Sequence, residues 1–102
     1  YDKRRKYVVK RLQEIPGFGV TEPKGAFYAF PSIHFAKGRK KLTSLQFCEW
    51  LLKEAKVLAV PGTEFGRHGE GFVRMSLATS LTLLENAMDR IEKATKKLKI
   101  VK

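Results

Sequence analysis

The sequence predicts an α+β domain in which three helices cover a small antiparallel or mixed sheet, in the order α-β-α-β-β-α. Three observations carry that expectation. Apolar residues recur at helical spacing near the N-terminus, over residues 43–55 and from residue 81 onward. Between these stretches lie short apolar runs at residues 26–30, 57–60 and 72–78. Pro and Gly stand at the junctions, in Pro16-Gly17, Pro23-Lys24-Gly25 and Pro61-Gly62. The 102 residues suit one domain, whose core at this length removes about two-thirds of the unfolded surface from water.

The first helix is expected over residues 1–14. Tyr1, Val8, Leu12 and Ile15 share one face, the basic residues take the other, and Pro16-Gly17 stops it. The pattern is helical from the first residue with no Ser, Thr or Asn cap before it, so the chain is expected to be a fragment whose natural sequence extends upstream. Turn residues Glu22-Pro23-Lys24-Gly25 lead into a strand at 26–30, with Ala26, Tyr28 and Phe30 on one face and Phe27 and Ala29 on the other. Residues 31–42 read as a loop carrying the basic cluster Lys37-Gly38-Arg39-Lys40-Lys41.

The second helix has full start signals. Thr43 with Gln46 makes a capping box, and Leu42 with Phe47 has the spacing of a hydrophobic staple. Its apolar face holds Phe47, Cys48, Leu51, Leu52 and Ala55. Val57-Leu58-Ala59-Val60 then reads as a buried strand, residues 61–71 as a long flexible connection, and residues 72–78 as the next strand. Ser80, or Thr82 with Glu85, caps a last helix whose core face is Leu84, Ala87, Met88, Ile91, Thr95 and Leu98.

Charge narrows the function classes. The net charge is +11, gathered in residues 1–11, 37–41 and 93–102. Solvated helix faces and a basic loop are the reading adopted; a nucleic-acid-binding module is the alternative, although no recognisable motif interleaves the basic residues with aromatics. No apolar run reaches membrane-spanning length, and the opening Tyr1-Asp2-Lys3-Arg4-Arg5-Lys6 is not followed by the apolar stretch of a signal peptide. One cysteine fits a reducing compartment, so a cytoplasmic location is expected, and two histidines far from each other and from Cys48 leave no metal-ligand spacing.

Few residues have the setting for chemistry. Gly66-Arg67-His68-Gly69-Glu70-Gly71 has neither dinucleotide nor P-loop spacing and feeds a strand, so it carries no phosphate site and leaves His68 facing solvent. Cys48 is explained by burial. Arg74 differs. Strand alternation sends Val73, Met75 and Leu77 into the core and Arg74 to the opposite face with Phe72, Ser76 and Ala78. A guanidinium held on a rigid strand suits bidentate recognition of a carboxylate or phosphate; an exposed edge-strand arginine or a cross-strand salt bridge explains it equally.

Three ordered segments then closely resemble a known family. They are Pro23-Lys24-Gly25-Ala26-Phe27-Tyr28, Val57-Leu58-Ala59-Val60-Pro61-Gly62-Thr63-Glu64-Phe65-Gly66 and Gly71-Phe72-Val73-Arg74-Met75-Ser76-Leu77-Ala78. With the closing helix, they resemble the C-terminal small domain of class I/II pyridoxal-phosphate-dependent aminotransferases of the aspartate aminotransferase fold, over essentially the whole chain. The resemblance implies that Arg74 pairs with the α-carboxylate of an amino-acid substrate and its 2-oxo acid product. It also implies that Phe27 approaches the substrate, a position that a core aromatic would explain as well. Pyridoxal phosphate is implied for the full-length enzyme, together with a large domain and a homodimer. The family's Schiff-base lysine motif, a Ser-x-Ser-Lys type stretch, is absent, and Lys96 after Thr95 lies on the last helix in another context. Residues 1–102 are thus expected to be a small domain that neither holds the cofactor nor transaminates by itself. The amino donor stays open.

Overall fold

The computed structural model describes residues 2–20 and 28–101. The three expected helices are present as α1 (Asp2–Glu14), α2 (Ser44–Ala55) and α3 (Leu81–Thr95). The strands are shorter and more numerous than expected. They are β1 (Phe18–Gly19), β2 (Tyr28–Ala29), β3 (Ser32–Ile33), β4 (Phe35–Lys37), β5 (Lys40–Lys41), β6 (Val60–Pro61), β7 (Val73–Ser76) and β8 (Lys99–Ile100). All described pairings are antiparallel, in three small sheets ordered β1-β3, β2-β7-β6 and β5-β4-β8.

The helix starts follow the sequence signals. Thr43 Oγ1 accepts from the Gln46 amide at 3.2 Å while Gln46 Oε1 accepts from the Thr43 amide at 3.0 Å, completing the capping box of α2. Ser80, not Thr82, caps α3, accepting from the Leu83 amide at 3.2 Å. The last carbonyl of α2, on Ala55, accepts from Arg90 Nε of α3 at 2.8 Å, which satisfies an orphan helix-end group and ties the two helices. Helices α1 and α2 both pack on α3. Val8 and Leu12 from α1, Phe47 and Leu51 from α2, and Leu84, Met88 and Ile91 from α3 meet Ala29, Val73, Met75 and Leu77 of the β2-β7-β6 sheet in one core. Beside it Phe35 stacks on Phe47 at 5.1 Å, with Phe18 edge-on to both.

One member of the N-terminal basic cluster is structural. Arg11 Nη2 bridges from α1 to Asp89 and Glu92 of α3, at 2.9 Å each. Its hydrogen bond holds the Glu92 carboxyl below the usual carboxylate range, so the pair contributes at neutral pH and is lost on acidification through that range. The other described lysines of the clusters, Lys3, Lys6, Lys10, Lys37, Lys40, Lys41, Lys93, Lys96, Lys97 and Lys99, are exposed, as solvated faces should be.

Four expectations are corrected. Residues 31–42 are not a loop: Gly38, at φ +66°, turns β4 back onto β5, and the charged run conceals this hairpin because its lysines face water. The helical tail stops at Thr95, and Lys99–Ile100 returns as a strand beside β4. The run 57–60 is not a buried strand, since Leu58 is 75% exposed and pairing begins only at Val60. Residues 61–71 are not a loose connection; they form two successive 3₁₀ turns, Gly62–Phe65 and Arg67–Gly69. The sequence-predicted turn at 22–25 and the first half of the 26–30 strand lie outside the described residues.

The 3₁₀ turns are held by backbone contact. A Cβ on Gly62 would collide with the Gly69 carbonyl, and one on Gly69 with the Gly62 carbonyl. Only hydrogen fits at either position. Gly62→Ala and Gly69→Ala are each expected to destabilise the fold by about 1–3 kcal/mol through overpacking, read as a lower denaturant midpoint with unchanged slope. An unchanged midpoint would show that the turns separate at no cost.

Candidate functional site

Strand β7 is the centre of its sheet. Val60 of β6 lies opposite Arg74, and Tyr28 of β2 lies opposite Ser76. The pleat places Val73, Met75 and Leu77 in the core and leaves Arg74 half-buried on the other face, as the sequence predicts. A central strand excludes the edge-strand explanation of Arg74. No described residue forms a salt bridge or hydrogen bond with its guanidinium, which excludes a cross-strand ion pair among the described residues.

What holds the guanidinium is aromatic. Its central carbon lies 4.2 Å from the ring centroid of Tyr28 and 4.2 Å from that of Phe65. Both contacts are well inside cation–π range. Phe30 extends the cluster, stacking on Phe72 at 5.4 Å and meeting Phe65 edge-on at 6.3 Å. Tyr28, Phe30 and Phe65 are all exposed, so the cluster opens to solvent. Aromatic rings engage the faces of a guanidinium, whereas its N–H donors lie in its plane. With no partner among the described residues, those donors are suited to two parallel hydrogen bonds to an acceptor such as a carboxylate.

Phe65 reaches Arg74 from the 3₁₀ turn Gly62–Phe65, and the second turn is pinned to α2. Glu70 Oε2 accepts from the Ser44 amide at 2.8 Å and from the Gly71 amide at 3.1 Å, and it lies 3.3 Å from Ser44 Oγ. Ser44 Oγ accepts from the Gly71 amide at 2.7 Å. Ser44 is buried. This clip was not visible in sequence, because Ser44 and Glu70 are 26 residues apart. Phe27 lies outside the described residues, and its neighbour Tyr28 is the aromatic seen on Arg74.

The guanidinium on this face suits an anionic oxygen group, a carboxylate or a phosphate. Strands β2, β6 and β7 contain no lysine to form a Schiff base with an aldehyde cofactor. Among the described residues no group of His, Cys, Asp and Glu could hold a metal ion.

Comparison with known proteins places the chain in a family. The family model "Aminotransferase class I and II" matches residues 1–91. An aspartate aminotransferase of Pyrococcus horikoshii is 56% identical over 94 residues, which is 92% of this chain and 23% of that protein. Aromatic-amino-acid aminotransferase 2 of Thermococcus litoralis is 50% identical over 101 residues, 99% of this chain and 25% of that protein. Among solved structures, an alanine aminotransferase from Pyrococcus furiosus superposes with a TM-score of 0.86 at 42% identity, covering 94% of this chain and 24% of that one. The chain spans about a quarter of the length of the curated relatives it matches.

Other groups singled out in the sequence stand apart from Arg74. His68 is exposed on the second 3₁₀ turn. A basin of about 390 Å³ between β4, β5 and α2 is lined by Lys37, Lys40, Leu42, Gln46, Glu49, Trp50 and Lys53, and neither Arg74 nor its aromatic neighbours are among these. Cys48 is buried, and burial first and the Glu49 charge second push its thiol up to about 11. The folded state therefore favours the neutral thiol, and the contribution to stability is lost as pH rises from the ordinary thiol range toward that value. Iodoacetamide at pH 8 is expected to label Cys48 slowly in the folded protein and promptly in denaturant. Fast labelling without denaturant would contradict its burial.

Proposed function

The chain belongs to the class I and II aminotransferases, and we propose that it forms the substrate-carboxylate-binding small domain of an enzyme that moves an amino group between an amino acid and a 2-oxo acid. The observation that carries this reading is the guanidinium of Arg74, held 4.2 Å from the rings of Tyr28 and Phe65 with no hydrogen-bond or ion-pair partner among the described residues. In this role Arg74 binds the α-carboxylate of donor and product alike. Tyr28 and Phe65 hold it in place. The carboxylate is what aspartate, aromatic amino acids and alanine, the substrates in the names of the relatives, have in common. Arg74 thus supplies binding and orientation, while the choice of donor lies with groups that read the side chain.

Pyridoxal phosphate, the cofactor that family membership implies, would supply the electron sink for the transfer when bound. Its lysine and phosphate anchors are assigned in this reading to the remainder of a longer protein. That remainder also supplies a large domain and the surfaces of a homodimer, working in the cytoplasm. The alternative of a basic nucleic-acid-binding module gains no support. Its basic clusters are distributed over α1, the β4-β5 hairpin and the C-terminal residues, and Arg11 is committed to Asp89 and Glu92. No described helix is long and apolar enough to cross a membrane.

In the full-length enzyme Arg74→Lys is expected to lower kcat/KM by roughly tens- to thousands-fold, the equivalent of about 2–5 kcal/mol, because a point-like ammonium replaces two parallel donors. Cofactor absorbance and melting temperature should change little. Near-normal kcat/KM would remove Arg74 from the site, and a joint collapse of all three readouts would make it structural.

A further inference from the structure

We propose that Phe65 and Glu70 are positioning residues for Arg74: Glu70 latches the paired 3₁₀ turns onto the start of α2, and the latched turn presses Phe65 against the guanidinium so that its free edge meets the substrate carboxylate. This rests on the carboxylate-binding reading of Arg74 and adds to it the means by which the arginine is aimed.

The chain of contacts is continuous. Ser44 stands at the first position of α2, where its backbone amide has no helical partner, and the Glu70 carboxylate takes that amide at 2.8 Å. The same oxygen and the Ser44 hydroxyl both receive the Gly71 amide, at 3.1 and 2.7 Å, which fixes the end of the second turn. The two turns move as one piece because Gly62 and Gly69 are in backbone contact and the Gly62 amide donates to the Phe72 carbonyl at 2.8 Å. Phe65 is the last residue of the first turn, and its ring lies 4.2 Å from the guanidinium.

A flexible arginine side chain loses rotamer freedom when it binds a carboxylate. A clamp made in advance removes that loss from the binding step. Tyr28 reaches the guanidinium from the neighbouring strand, where sheet pairing already fixes it. Phe65 reaches it from an element that has no strand pairing, which is why the clip at Glu70 is needed.

The test uses the full-length holoenzyme and the dissociation constants of malate and 3-phenyllactate, hydroxy acids that carry the α-carboxylate without the amine; the tighter binder to the unmodified enzyme is followed. Phe65→Leu is expected to raise that constant, and KM with it, by about three- to tenfold while kcat changes less than twofold. Phe65→Tyr, which keeps the ring, should restore binding. Glu70→Ala should weaken the hydroxy acid to a similar extent and add nothing further in combination with Phe65→Leu, since both act through one contact. If Glu70→Ala unfolds the enzyme, Glu70→Gln, which retains one acceptor, takes its place in the cycle. An unchanged dissociation constant in Phe65→Leu, or additive losses in the double variant, overturns the latch when Arg74→Lys is itself impaired. Unchanged binding in both Arg74→Lys and Phe65→Leu overturns the carboxylate-binding role of Arg74 and the latch with it.

Discussion

The pleat of β7 is the constraint on which the site depends. Val73 and Leu77 are fully buried and Met75 nearly so, each contributing about 1.5–3 kcal/mol relative to exposure. A one-residue slip of register would expose all three and drive a guanidinium into the apolar core. That penalty, several kcal/mol from the apolar residues alone, is comparable to the whole stability of a small domain. The core thus fixes the side on which Arg74 emerges. Pairing with β2 and β6 on either side then fixes its height and direction.

The same arrangement shows why the surrounding surface is aromatic. A guanidinium on a sheet face needs neighbours that hold its plane without consuming its donors. A carboxylate would take up the guanidinium's N–H donors; the rings of Tyr28 and Phe65 lie 4.2 Å from its central carbon and offer no strong acceptor in competition. The rings of Tyr28, Phe30 and Phe65 are exposed beside it, while elsewhere Arg11 joins α1 with α3, Arg90 ties α3 to the end of α2 and Glu70 holds the start of α2.

Much of the frame was legible locally. The Thr43–Gln46 box and the Ser80 cap are encoded within four residues of the helices they start, and alternation alone sets Arg74 against Val73 and Met75. The short strands were not. β1, β3, β4, β5 and β8 have two or three residues each, too few for a period to show, and the β1–β3 and β4–β8 pairings join residues distant in sequence. Basic residues at 37–41 and 93–102 hid a hairpin and a returning strand, since exposed strands in small sheets carry lysine as readily as helices or loops do. Spacing could reveal a fork on a strand, but its Phe65 and Glu70 supports depend on the Gly62–Gly69 contact, which no local pattern announces. The pairing of Arg74 with an amino-acid carboxylate was suggested by the family resemblance rather than by the pleat.

The most direct test of this account is a crystal structure of the full-length enzyme with a bound 2-oxo acid. The account predicts the α-carboxylate in the plane of the Arg74 guanidinium, with two parallel N–H···O contacts of about 2.7–2.9 Å and the rings of Tyr28 and Phe65 still in contact with it. A carboxylate bound by other residues, with Arg74 turned to solvent or paired to a protein carboxylate, would contradict it.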